Sequence, residues 1–234
     1  MNQMIQNPKI VIALDYANPQ DAINFVEKLD PKLCRLKVGK ELFTAAGPQL
    51  IEKLISKDFS VFLDLKFHDI PTTVSKACEA ASRLGVWMLN VHASGGAAMM
   101  EAAREGVERS GQNPLLIAVT VLTSMNQKML NEVGVAGSVA DQVLSLAQLT
   151  KKSGLNGVVC SAQEASVLRN ALGKEFCLVT PGIRPLDASL DDQSRVVTPK
   201  KALELGSSYL VIGRPITQSA TPLETLIKIN QEIM

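Results

Sequence analysis

Residues 61–73, VFLDLKFHDIPTT, bring Asp64, Lys66 and Asp69 within six residues at the end of an apolar run. The run Val61–Leu65 reads as a buried strand, whose side chains alternate faces with a period of two. On that reading Phe62, Asp64 and Lys66 share one face, and Val61, Leu63 and Leu65 share the other. Ionised groups withdrawn from water are costly unless they pair with each other or with a ligand. Pro71 suits the first turn of a helix, where its missing N–H is no loss. Asp-x-Lys at a strand end, a turn with a second Asp, then a helix, is a site built for charge.

The remaining sequence must supply the elements that hold those residues. Strand-like runs fall at Ile10–Leu14, Arg35–Val38, Val61–Leu65, Trp87–Val91, Leu115–Leu122, Gly157–Cys160, Phe176–Thr180 and Tyr209–Ile212, with helix-like segments after each. In Thr72–Leu84, Val74, Ala77, Cys78, Ala81 and Leu84 recur at helical spacing, opposite Lys76, Glu79 and Arg83, and Gly85 follows as a stop. Eight strand–helix units in 234 residues predict an α/β protein, a single (β/α)8 TIM barrel spanning residues 1–234. An open doubly wound sheet would need a glycine-rich turn after the first strand, and Leu14–Pro19 reads LDYANP.

Barrel active sites lie at the carboxyl ends of the strands. Those ends deliver Asp15, Lys37, Asp64 and Lys66, then Asn90 or His92, Thr120 and Thr123, and Gly213-Arg214. A solvated charge at a strand edge explains any one of them, but not five converging on one mouth. In YLVIGRPIT, Gly213 permits close backbone approach to a ligand and Pro215 can open a short helix beside Arg214. This is the makings of an anion site, with a monophosphate the expected anion and an ordinary Arg–carboxylate pair the alternative. Two connections on the same face are long: Thr123–Val135 and Gly182–Thr198. The second carries Arg184, Asp191, Asp192, Gln193 and Arg195 with few apolar anchors, a composition suited to a mobile lid.

Composition narrows the classes. Hydrophobic residues make up 46% and aromatics 4%, so the core must be large and mainly aliphatic. Lys plus Arg number 24 against 23 Asp plus Glu, which gives no support for a nucleic-acid partner. Cys34, Cys78, Cys160 and Cys177 lack C-x-x-C spacing, and the three in or beside apolar strand-like runs read as small buried side chains in a reducing compartment. With no secretory pattern at the N-terminus and no apolar run near the ~20 residues of a membrane span, a soluble cytoplasmic protein is expected. His68 is expected to point away from the Asp64/Lys66 cluster, and His92 reads as a structural histidine or one reaching the mouth. Two histidines without ligand spacing do not argue for a metal. Trp87 is expected between barrel and helices, and Met99-Met100 in helix packing.

The segments LKVGKELF, DLKFHDIPTT, VTVLTS, TPGIR and VIGRPIT together resemble orotidine 5′-phosphate decarboxylases of the bacterial type, from Asp15 to Arg214. The resemblance implies decarboxylation of orotidine 5′-phosphate to uridine 5′-phosphate in pyrimidine nucleotide synthesis, with neither metal nor organic cofactor. It also implies a charged tetrad of Lys37, Asp64, Lys66 and Asp69, in which Lys66 protonates C6 of the pyrimidine. Asp69, Ile70 and Thr73 would come from the second subunit of a homodimer. Asp15 and Lys37 would hold the ribose, Thr123 the base, and Arg184, Gln193, Gly213 and Arg214 the phosphate.

Two other readings compete. Magnesium-dependent sugar-phosphate decarboxylases or aldol synthases of the same barrel suite share D-x-K-x-x-D but need an acidic residue near the end of strand two. Lys37 has the wrong sign there, although Glu41 is near. A catalytically silent phosphate-ligand-binding barrel is the other, since fold does not dictate function.

Overall fold

A closed all-parallel barrel forms the centre of the molecule, its eight strands in the order β1 to β8. The computed structural model describes residues 7–185 and 197–234. The strands are β1 (Ile10–Leu14), β2 (Arg35–Gly39), β3 (Val61–Phe67), β4 (Met88–His92), β5 (Leu115–Val119), β6 (Gly157–Val159), β7 (Cys177–Thr180) and β8 (Tyr209–Ile212). Strands buried on both faces read as near-continuous apolar runs, and IVIAL of β1 is buried at every position. Alternation still sorts their side chains. Val11, Ala13, Phe62, Met88, Ile117, Cys177, Val179 and Val211 make one cluster that fills the barrel. Their neighbours Ile10, Ile12, Leu36, Val38, Leu63, Leu89 and Val91 belong to a larger cluster shared with the helices.

Among the described residues the helices are α1 (Pro19–Val26), α2 (Lys40–Ala46), α3 (Pro48–Ile55), α4 (Pro71–Arg83), α5 (Gly96–Arg109), α6 (Gln127–Glu132), α7 (Val139–Lys152), α8 (Ala165–Leu172), α9 (Pro199–Glu204), α10 (Arg214–Thr217) and α11 (Pro222–Ile233). Proline opens α1, α3, α4, α9 and α11, where a fixed φ is preorganised for the first turn. The α4 and α5 helices pack closely because Gly106 has no side chain. A Cβ there would lie 2.1 Å from the Ser75 carbonyl oxygen.

Several boundaries differ from expectation. The helix after the charged motif ends at Arg83, one residue short of the expected Leu84, and Pro71 opens it as expected. Strand β5 stops at Val119, short of the expected Leu122, and the Thr120 hydroxyl donates to the Val159 carbonyl at 3.1 Å. The connection 123–135 is not wholly irregular, because α6 forms within it, capped by the Asn126 side chain on Met129 N–H. Trp87 packs against the barrel-filling cluster, not between barrel and helices. There it meets Tyr209 edge-on at 4.8 Å, and the Arg35 guanidinium lies 4.3 Å from the Trp87 ring centre and 5.0 Å from that of Tyr209. This cation–π stack closes the end of the barrel opposite the mouth.

Candidate active site

Asp64 sits where β3 leaves the barrel wall, and β3 departs there from simple alternation. Its pairing with β4 shifts register between Leu63 and Phe67, and Lys66 adopts a left-handed φ of 51°. Leu65 and Phe67 both pack against the outer cluster, and Lys66 turns inward between them. The expected shared face of Asp64 and Lys66 is realised, but through a bulge, which can re-aim a side chain.

Four strand-end charges form a continuous chain. Lys66 Nζ lies 2.6 Å from Asp64 Oδ1. Lys37 Nζ lies 3.4 Å from Asp64 Oδ2 and 3.4 Å from Asp15 Oδ1. Each Asp64 oxygen therefore faces a different ammonium, and the four formal charges sum to zero. Asp64 and Lys37 are each 8% exposed, a burial sustained by this pairing. Asn90 completes the set from β4: its Nδ2 donates to Asp64 Oδ1 at 2.7 Å, and its Oδ1 accepts from the Lys66 N–H at 2.8 Å.

A cavity of about 190 Å³ opens beside this chain. Lys37, Asp64 and Lys66 line its charged side, while Phe62, Val119, Val121, Val159, Val179, Pro181 and Val211 supply apolar walls, with Leu122 and Thr123 also in the lining. Apart from Phe62, these apolar residues were not singled out from the sequence, although inward alternation along β5 to β8 carries the signal for Val119, Val159, Val179 and Val211. The site can therefore hold a flat, largely uncharged group against aliphatic walls while one edge meets ammonium and carboxylate.

The other candidates fall into three groups. Gly213 borders the site: a Cβ on it would lie 3.9 Å from Asp15 Oδ2, and Arg214 follows as the first residue of α10. Arg184 is only 5% exposed and its N–H donates to the Val197 carbonyl at 3.1 Å, pinning the ends of the segment that contains Gln193. Gln193 and most of the expected lid, residues 186–196, lie outside the described residues. Asp69, Ile70 and Thr73 are exposed on the turn into α4, and Asp69 Oδ1 accepts from the Ile70 N–H at 2.6 Å. Within one chain Asp69 thus stands apart from the other three members of the expected tetrad. Thr120, expected at the mouth, is tied into the barrel wall by its bond to Val159.

His68 is exposed, and its ring centre lies 5.6 Å from that of His92. Burial lowers the His92 pKa from its ordinary value, helped by His68, Lys40 and Lys66 and opposed by Asp64. His92 thus feels the charged chain. Glu41 lies exposed in the first turn of α2, and the acids nearest Lys37 are already paired with it.

The fold and site define a class, a (β/α)8 barrel enzyme with a neutralised Asp–Lys–Asp–Lys chain at its carboxyl-end mouth. The sequence matches the model described as "Orotidine 5′-phosphate decarboxylase / HUMPS family" over residues 8–229, and the chain belongs to that family. A protein of Pseudoalteromonas atlantica named orotidine 5′-phosphate decarboxylase is 58% identical over 230 residues, covering 98% of this chain and 100% of that one. One of the same name from Chromobacterium violaceum is 61% identical over 224 residues, covering 96% of this chain and 91% of its own. The crystal structure of orotidine 5′-phosphate decarboxylase from Lactobacillus acidophilus superposes with a TM-score of 0.88 at 40% identity, covering 97% of this chain and 99% of that one.

Proposed function

We propose that this protein decarboxylates orotidine 5′-phosphate to uridine 5′-phosphate, in the cytoplasm and without a metal or organic cofactor. The observation that carries the reading is the Lys66 ammonium, 2.6 Å from Asp64 on the charged side of a cavity whose remaining walls are mostly apolar, in a chain of the orotidine 5′-phosphate decarboxylase / HUMPS family. The bond from C6 to the carboxylate breaks, carbon dioxide leaves, and the electron pair stays on C6 in the ring plane. The ring π-system cannot delocalise that pair. A fixed ammonium beside C6 stabilises it as it forms, then transfers a proton to it, and Lys66 is reprotonated from solvent.

Asp64 lies near the departing carboxylate in this arrangement. Two like charges about 4 Å apart repel by roughly 4 kcal/mol at an effective dielectric of about 20. Lys37 and Lys66 flank Asp64, one ammonium facing each carboxylate oxygen. Asp15 and Lys37 bind the ribose hydroxyls, and Thr123 contacts the base. Arg184, Gln193, Gly213 and Arg214 grip the phosphate, whose binding energy closes the site and excludes water during the chemical step.

The tetrad is completed in a homodimer, with Asp69, Ile70 and Thr73 contributed by the partner subunit. Supporting this, Ile70 is 67% exposed although it is a large apolar side chain beside the charged motif. A magnesium-dependent reading is disfavoured by the donor set, because Asp15 and Asp64 already face Lys37. The test is the ultraviolet absorbance change of orotidine 5′-phosphate with and without EDTA. Turnover indifferent to chelation is expected; turnover lost on chelation would favour the metal-dependent relatives, and none at all would reject the decarboxylase reading.

A further inference from the structure

We infer that Asn90 is a positioning residue, a two-ended clamp that sets the geometry between the proton donor and its carboxylate neighbour. The inference rests on the reading in which Lys66 delivers the proton. Asn90 is 0% exposed, and both ends of its amide act on the site. Its Nδ2 donates to Asp64 Oδ1 at 2.7 Å, the same oxygen that faces Lys66 Nζ at 2.6 Å. Its Oδ1 accepts the backbone N–H of Lys66 at 2.8 Å, the residue with φ of 51°. Partners fix the amide orientation: turned over, it would set oxygen against oxygen and N–H against N–H.

The left-handed conformation is unfavourable for any residue with a Cβ and persists only where its surroundings impose it. Asn90 supplies part of that imposition, since β3 slips register against β4 at this point and normal pairing lapses. Without the clamp, Lys66 can relax toward extended backbone, which swings its ammonium away from C6. Asp64 loses a donor and can rotate between Lys37 and Lys66. Misplacement by about 1 Å can cost ~100-fold in rate. Asn90 itself does not line the cavity, so substrate binding should hardly feel its loss.

The experiment compares wild type with Asn90→Leu, Asn90→Asp and Lys66→Ala, measuring kcat, KM and affinity for uridine 5′-phosphate. Asn90→Leu is expected to lower kcat ~100-fold while KM and product affinity move less than about threefold. Asn90→Asp covers the case in which Asn90→Leu fails to fold, because it keeps the shape and the acceptor for Lys66 N–H. Its carboxyl would face Asp64 and Lys66 on β3, with Lys37 beyond Asp64, His92 along β4 and apolar Ile117 opposite on β5. A like charge raises its pKa, so only its protonated form can donate to Asp64. Its activity should recover as pH falls, relative to wild type at the same pH. A kcat within twofold of wild type in Asn90→Leu, parallel losses in kcat and product affinity, or no acid recovery in Asn90→Asp would overturn the clamp. Lys66→Ala separates the two claims: if it still turns over, the proton-donor reading fails and the clamp with it; if it is dead and Asn90→Leu keeps a kcat within twofold of wild type, only the clamp fails.

Discussion

At the scale of single residues, the charged set is simple. Two lysines and two aspartates cancel, each Asp64 oxygen has its own cation, and Asn90 ties the backbone of one partner to the side chain of the other. Residue types and order made Asp64, Lys66, Lys37 and Asp15 legible in the sequence, because charge at the end of an apolar strand has few inexpensive explanations. The role of Asn90 was not legible. Its strand end put Asn90 at the mouth as an alternative to His92, but nothing in MLNVH shows which two partners its amide takes. His92 gives a prediction at this scale. Its folded pKa is lowered, so below the ordinary value of 6.5 the unfolded chain binds a proton that the folded chain resists. That group's contribution makes stability fall as pH drops from 6.5 toward the lowered value and is nil above that window. Urea midpoints measured across pH should show a shallower acid loss in His92→Gln than in wild type; identical slopes would contradict this.

At the scale of elements, β3 and α4 matter most. Strand alternation placed Phe62 and Asp64 correctly, whereas Lys66 reaches the same mouth by a bulge and a left-handed residue that no periodicity encodes. Strand β5 ended early for a similar reason: the apolar run continues past Val119, but Thr120 is turned into a bond with Val159. Helix α4 is held by its contact with α5 at Gly106, where a methyl group would strike the Ser75 backbone. Gly106→Ala should therefore destabilise the protein by about 1–3 kcal/mol through overpacking, against the small gain alanine brings to a helix. For a chain of this size that is a fall in Tm of roughly 2–4 °C per kcal/mol. An unchanged or raised Tm would show that the two helices can part at little cost.

At the scale of the whole molecule, strand–helix alternation and length sufficed to predict a closed barrel, and the eight strands pair in chain order. No periodicity marks which face meets another copy; only the family resemblance pointed to the turn carrying Asp69, Ile70 and Thr73. The proposed homodimer predicts that Ile70→Asp weakens self-association, measured by sedimentation at micromolar concentration, and lowers activity with it. A monomeric and fully active Ile70→Asp would remove Asp69 from the site. All four cysteines are buried, and burial pushes the thiols of Cys34 and Cys78 up to about 12 and that of Cys177 to about 11. An aromatic disulfide titrant should find no reactive thiol in the native protein and four after denaturation.

In the proposed reaction Lys66, held in a neutral charge chain, donates the proton to C6. The direct measurement is turnover of orotidine 5′-phosphate by Lys66→Ala beside its affinity for uridine 5′-phosphate. Loss of detectable decarboxylation with product still bound is expected. Appreciable remaining turnover in a variant that binds product would contradict it.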